Sequence, residues 1–402
     1  MQRLSDILVP KPLLKSPKAF GGDDAGDCLR GDLILKDGRA VGLEVGALGN
    51  APRMLIPALS EPHCHLDKCH SIGRIGNVGG DLAHALAAQR HDKELWTAED
   101  LRSRMAKGLS ELVAAGCRHV RSHIDWGDDV AAPVGWSVLT ELAGDYPLLV
   151  QSAALTGVDQ MANRDICFGI AGEIAAAPNG VLGSFLLYHD HMRDGLRNIF
   201  AAAERFGLPL DFHVDEGLGA YNALELICDV AVETAFDGPI LCGHAVSLVD
   251  RESDDLARII DKLLQAGVAV CALPTTNLYL QGRRAGTPDR RGITRLRELR
   301  AAGVPVLAGS DNVADAFCPM GQHDPRAALH LAALAAHLDP PMGQWLTAIT
   351  TDAAEAMGLA DGFIEHCPTD ELRLCAAPST ADLVAGRAPL IPISQATENY
   401  PQ

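Results

Sequence analysis

Residues 61–68 read EPHCHLDK and follow the apolar run Met54–Leu59. His63 and His65 stand two apart, and on a β-strand side chains two apart point to the same face. Two imidazoles aimed at one point suit a divalent metal, because neutral nitrogen donors bind zinc, iron or manganese. A pair of hydrogen-bonded histidines at a strand end would look the same in isolation, so the rest of the chain has to decide. Alternation turns Cys64 to the opposite face, away from both histidines.

Outward from this stretch, short aliphatic runs alternate with Ala/Leu-rich amphipathic stretches. The predicted strands are Met54–Leu59, His119–Trp126, Leu148–Leu155, Val181–Tyr188, Leu208–Val214, Ile240–His244, Val268–Ala272 and Val306–Ala308. Between them, Ala98–Ala115, Leu196–Phe206, Tyr221–Ala235 and Leu256–Ala266 carry helical apolar spacing. Strands alternating with helices are what a closed parallel barrel requires. The expected fold is therefore α/β, a (β/α)8 TIM-type barrel spanning 53–364. Before it, GDLILKDGRAVGLEVGA (31–47) alternates and turns at Asp37-Gly38, a hairpin signal. After it, ELRLCAAPSTADLVAGRAPL (371–390) shows similar short β-like runs. Residues 1–52 and 365–402 are expected to join in one small β-sandwich domain beside the barrel. The tail IPISQATENYPQ (391–402) reads as poorly ordered.

Composition narrows the function. Among 402 residues, 52 are acidic and 34 basic, a formal net charge of −18. Such a surface repels phosphate backbones, which argues against nucleic acid as a partner. No apolar run approaches the roughly 18 residues of a membrane helix, and the N-terminus lacks a secretory pattern. The expectation is a cytoplasmic protein without a membrane. Eleven scattered cysteines, none in a CxxC pair, point to reduced thiols used as small core residues. Charge and exposed helices are compatible with a monomer or a symmetric homo-oligomer.

The polar residues at later strand ends sharpen the metal reading. The fifth strand ends in DFHVDEG with His213 and Glu216, the sixth in CGHAV with His244, and the eighth in AGSDN with Asp311 and Asn312. A parallel barrel keeps its catalytic residues at the C-terminal ends of its strands. Residue type, strand order and strand end agree four times over.

HCHLD, HVDE, GHA and GSDN after strands one, five, six and eight resemble the amidohydrolase superfamily. Within it, the chain is similar to the cytosine deaminase-like metal-dependent hydrolases. The most specific stretches are NLYLQGRRAGTPDRRGITR (277–295) and HVRSHIDW (119–126). The resemblance implies one divalent metal per subunit, zinc or iron first and manganese acceptable, held by His63, His65, His213 and Asp311. It implies that Glu216 shuttles protons, that His244 and Asp311 handle the attacking water, and that Gln281 shapes the substrate pocket. No lysine stands in LLYHDHMRDG (186–195), where binuclear relatives carry one, so one metal is expected. His189 and His191 in that segment read as lining or surface.

Three positions depart from the cytosine deaminase pattern. Thr156 stands near the place of a ring-binding glutamine, Asn312 replaces a second aspartate, and Lys68 replaces a threonine. A hydroxyl lacks the paired donor and acceptor of an amide. Lys68 and Asn312 resemble the relative that removes an alkylamine from N-alkyl ammelides. Lys68 suits an anionic or carbonyl-rich ring, or else a salt bridge to Asp67 or a nearby acid. The expected activity is hydrolytic deamination of a cyclic amidine, such as cytosine or a related pyrimidine or pterin heterocycle. The alternatives are release of an alkylamine or opening of a cyclic amide on a triazine-like ring, and, from another class, a catalytically idle small-molecule binder. The last has no use for Glu216.

Overall fold

The computed structural model describes residues 2–398 apart from positions 77, 220, 289, 291 and 361. Among the described residues, fifteen strands form two sheets. Five precede the barrel: β1 (Gln2–Pro10), β2 (Asp23–Ala25), β3 (Cys28–Lys36), β4 (Arg39–Glu44) and β5 (Arg53–Pro57). Eight build it: β6 (Leu59–Cys64), β7 (Cys117–Asp125), β8 (Leu149–Gly157), β9 (Gly180–Phe185), β10 (Leu210–Val214), β11 (Ile240–His244), β12 (Val268–Ala272) and β13 (Val306–Ala308). Two follow, β14 (Leu372–Cys375) and β15 (Ile391–Pro392).

The expected barrel is present, with β6 to β13 parallel and in chain order. One expectation needs correction at its first strand. Met54–Leu59 is not a barrel strand: Arg53–Pro57 pairs with β1 and β14 in the other sheet, and the chain passes Ala58 to begin the barrel at Leu59. Both segments are buried, so hydropathy alone runs them together.

The chain ends meet in one seven-stranded mixed sheet, ordered β15-β14-β5-β1-β3-β2 with β4 on β3. Its hairpin turns at Asp37 and Gly38, at φ 50° and 72°. Both values are positive, as the tightest hairpin turn demands. STADLV, read as β-like, is instead a short helix, Thr380–Val384, whose N-cap Ser379 accepts from the Asp382 N–H. The tail is built in as far as described: β15 pairs with β14 and a helix covers Ile393–Glu398.

Closing the barrel joins β6 to β13, and the seam has little ladder. It consists of a bridge between Cys64 and Asp311, with the Asp311 N–H donating to the His63 carbonyl at 2.9 Å. The buried Glu61 carboxylate supplies the rest: Oε1 accepts from the His63 and Ser310 N–H groups at 3.0 and 3.1 Å. Gly309 makes the approach possible, because a Cβ there would meet the His63 carbonyl at 2.9 Å and Glu61 Oε1 at 3.0 Å.

The barrel interior is also polar by design. Inward positions on β7 are Arg121, His123 and Asp125. Arg121 is fully buried, donating from Nη1 to Asp211 at 2.7 Å, from Nε to Gln151 at 2.9 Å and from Nη2 to the Met357 carbonyl at 3.1 Å. All eleven cysteines are buried and unpaired. Among the described residues no helix is long and apolar enough to cross a membrane.

The seam yields a stability prediction. Glu61→Ala strips the acceptor from two buried N–H groups and should cost about 2–4 kcal/mol, with Glu61→Gln, which keeps one oxygen, losing less. Denaturant unfolding of both variants checks this; equal losses would contradict the acceptor role.

Candidate metal and active site

His63 stands next to last in strand β6 and His65 lies just beyond it, while β10 presents His213 and the turn after β13 presents Asp311. Their donor atoms converge. His65 Nε2 lies 3.1 Å from His213 Nε2 and 3.3 Å from Asp311 Oδ1, and His63 Nε2 lies 3.6 Å from the same oxygen. Tetrahedral ligands about 2.0–2.1 Å from one zinc ion stand roughly 3.3 Å apart, so the observed spacing matches a common cation. The nitrogens of His63 and both oxygens of Asp311 are buried with no hydrogen-bond partner among the described residues. Buried polar atoms in that condition are costly unless something fills the role. Burial, reinforced by the neighbouring imidazoles, pushes His63 and His213 well below the usual histidine value; burial and Lys68 do the same to His65. All three are thus neutral, as metal binding requires.

Glycine again sets the packing. A Cβ on Gly243, in CGHAV, would come within 2.8 Å of the His63 ring. The backbone at the strand ends is strained: Asp215, His244, Ala245 and Asp311 have φ of 50°, 70°, 49° and 59°. Non-glycine residues adopt such values uncommonly, and Asp and His more readily than Ala.

Glu216 sits at the mouth, its Oε1 3.9 Å from His244 Nδ1 and its side chain one-fifth exposed. Burial and then the charge of Asp311 push its carboxyl up to about 8, so it is protonated at neutral pH. Asp215, beside it in HVDE, does structural work instead, accepting from the N–H groups of Ala223 and Leu224 at 3.1 and 3.2 Å at the start of the next helix. The Asn277 amide lies 3.0 Å from His244 Nδ1 and holds the ring, leaving a buried Nε2 without a partner among the described residues.

The other expected residues divide. Gln281 is buried with its Nε2 unpartnered among the described residues, and a Cβ on Gly292 would strike its side chain at 2.3 Å. The Thr156 hydroxyl donates to the Gly183 carbonyl at 2.8 Å, inside the barrel wall. Asn312 donates to Asp315 Oδ2 at 2.8 Å. Lys68 takes the ion-pair option, but with Asp125 at 2.8 Å rather than Asp67, and its Nζ also lies 3.3 Å from His65 Nδ1. Burial opposes the Lys68 charge, yet Asp125 and Asp67 outweigh it and hold the ammonium above its usual value. Lys93 pairs with the other Asp125 oxygen. His189 is partly exposed and His191 exposed, away from the convergent set.

His123 is the residue that the sequence reading left without a role. Its ring centroid is 4.0 Å from that of His63, its donor atom falls within the cluster of His63, His65 and His213, and its Nε2 is 3.0 Å from Asp211 Oδ1. The signal was present in HVRSHID, where Arg, His and Asp occupy alternate positions of a buried strand. Asn277 and Glu61 carried no comparable mark.

A barrel whose strand ends converge on a buried His/Asp set beside a protonated carboxyl is that of a metal-dependent hydrolase. The amidohydrolase family model matches residues 73–367, and the chain belongs to that family. A pterin deaminase of Rhizobium rhizogenes is 32% identical over 360 residues, covering 85% of this chain and 81% of its own. Two solved structures are similar in fold. The 5-methylcytosine deaminase of Klebsiella pneumoniae superposes with a TM-score of 0.81 at 22% identity, over 97% of this chain and 94% of that one. N-isopropylammelide isopropylaminohydrolase of Burkholderia multivorans gives 0.72 at 22% identity, over 97% of each chain. The protein is a metal-dependent hydrolase of non-peptide C–N bonds, a hydrolytic deaminase.

Gly243→Ala tests the packing of the metal set. It should displace the His63 ring and weaken metal retention about 10–100-fold, as loss of ligand support does elsewhere, while the fold persists. Metal content after dialysis against a chelator reads this, and undiminished retention would sink the packing argument.

Proposed function

We propose that this deaminase acts on a pterin-like ring, a fused 2-amino-4-oxopyrimidine, using one divalent cation held by His63, His65, His213 and Asp311. The observation that carries the reading is the convergence of those four buried donors beside a carboxyl group pushed up to about 8. Histidine and aspartate donors suit zinc or iron first, and manganese also. When bound, such a cation lowers the pKa of a coordinated water from about 15.7 toward 7.

The chain's own groups then divide the work. Asp311 and His244 take a proton from the water and hold it on its line of attack. Glu216, protonated at neutral pH, gives its proton to the ring nitrogen next to the amino-bearing carbon, which makes that carbon electrophilic. The water oxygen adds to it. Glu216, now a carboxylate, takes the proton of the added hydroxyl and passes it to the amine, the C–N bond breaks, ammonia leaves, and the carbon keeps the oxygen as a carbonyl; the proton held by Asp311 and His244 then returns to Glu216. His123, backed by Asp211, packs against the His63 ring, and Asp125 holds the Lys68 ammonium beside the site.

Ring choice rests on the 32% identical relative and on two side chains. Gln281 offers a buried, uncommitted amide N–H to a ring carbonyl. Thr156 has already donated its hydroxyl proton to Gly183, so it offers no paired donor and acceptor to a cytosine edge. Alkylamine release is not favoured, since Lys68 and Asn312, the residues that suggested it, are engaged by Asp125 and Asp315. The unpaired thiols support a reducing, cytoplasmic setting.

Two outcomes are expected. Ammonia release by metal-reconstituted protein should favour pterin over cytosine in kcat/KM by about 100-fold or more; preference for cytosine would overturn the ring assignment. Glu216→Gln should lower kcat about 10²–10⁴-fold with metal retained. Because the protonated carboxyl is the active form, wild-type rate should fall as pH rises past about 8. A bound cation favours the carboxylate, so the fall begins at or below that value.

A further inference from the structure

A second cluster of ligating groups lies one residue past Lys68, outside the convergent set. Cys69 and His70 follow the first barrel strand, and His323 sits in the segment after the eighth; their donor atoms lie within 4.8 Å of one another. The two segments are laced together by backbone, with His70 N–H donating to the Val313 carbonyl at 3.1 Å and Ile72 N–H to the Ala314 carbonyl at 2.9 Å. His323 is 3% exposed, and neither of its ring nitrogens has a hydrogen-bond partner among the described residues. A buried imidazole without a partner is a standing cost unless a ligand completes it.

The surroundings are shaped for such a ligand. His70 Nε2 lies 3.0 Å from Glu111 Oε2, the carboxylate–histidine pairing that orients metal-binding imidazoles and leaves Nδ1 with a free lone pair. The helix Ala98–Ala114 gives up a side chain at this point. A Cβ on Gly108 would come within 3.0 Å of His323 Nε2 and 3.3 Å of Cys69 Sγ. Glycine inside a helix is destabilising relative to alanine, so the room it leaves comes at the expense of local stability. We propose that Cys69, His70 and His323 form a second metal site, taking a borderline-soft divalent cation such as zinc and clamping the first and last barrel loops onto that helix. Thiolate with two imidazoles is the donor set zinc prefers. Burial lowers His70 and brings His323 down to about 3, so both rings are neutral and ready to ligate. The thiol, which now donates to the Leu66 carbonyl at 3.2 Å, releases its proton to solvent on binding.

Cobalt(II) substitution of the full-length protein distinguishes this site from the catalytic one, whose proposed ligands contain no sulfur. The expected result is two cobalt equivalents per chain and a thiolate-to-cobalt charge-transfer band in the near ultraviolet. Cys69→Ser should abolish the band, and His323→Gln should remove one equivalent while the other stays. A wild-type protein with a single equivalent and no thiolate band overturns the proposal even if the variants fail to fold. A band that survives His323→Gln at full stoichiometry overturns it as well. Neither readout depends on which ring the enzyme deaminates.

Discussion

Everything at the site depends on how the barrel closes. The first and last strands meet through one bridge and one backbone hydrogen bond, and both involve residues next to or within the metal set. Glu61 completes the seam from below by accepting the N–H groups that a longer ladder would have satisfied. The seam therefore fixes His63 and Asp311 relative to each other. The strained φ of Asp311 and the obligatory Gly309 follow from bringing those two strands so close. A short eighth strand, three residues long, leaves the turn free to aim a carboxylate inward instead of extending the sheet.

Burying so much polarity inside a barrel is expensive unless each charge is matched. The structure meets this in layers. Arg121, Asp211 and Gln151 form a closed network beneath the site. Lys68, Asp125 and Lys93 form another beside it, in which the two ammonium groups outweigh burial and hold Asp125 below the usual carboxylate range. Between these networks His63, His65 and His213 stay neutral, and both nitrogens of His63 have no hydrogen-bond partner among the described residues. The matched charges give rigidity, and the unmatched donors are left for the chemistry.

This division explains why two substitutions that looked diagnostic of substrate carry less weight than their sequence positions suggested. Lys68 and Asn312 resembled a triazine-processing relative, yet each is held by an acid of this chain, Asp125 or Asp315. Burial pushes Asp315 up to about 7, so even that partner sits near its titration point. Gln281, by contrast, keeps an amide hydrogen unspent because the glycine at 292 leaves space for its side chain. Discrimination between rings thus falls to donors with nothing else to bond.

The sequence by itself determined the alternation of strands and helices, the barrel, and the residues His63, His65, His213, Glu216, His244 and Asp311 as candidates, because strand periodicity and strand-end position are local properties. It could not separate β5 from β6, since two consecutive buried strands in different sheets have the same apolar character. Nor could it find Asn277 or Glu61, or tell that Lys68 would choose Asp125. Those choices involve partners 33 to 249 residues apart, as in the bonds from Asn277 to His244 and from Ser310 to Glu61. Only the closed barrel brings such residues within hydrogen-bonding distance, so tertiary structure alone decided which polar groups are spent on the fold and which remain free to react.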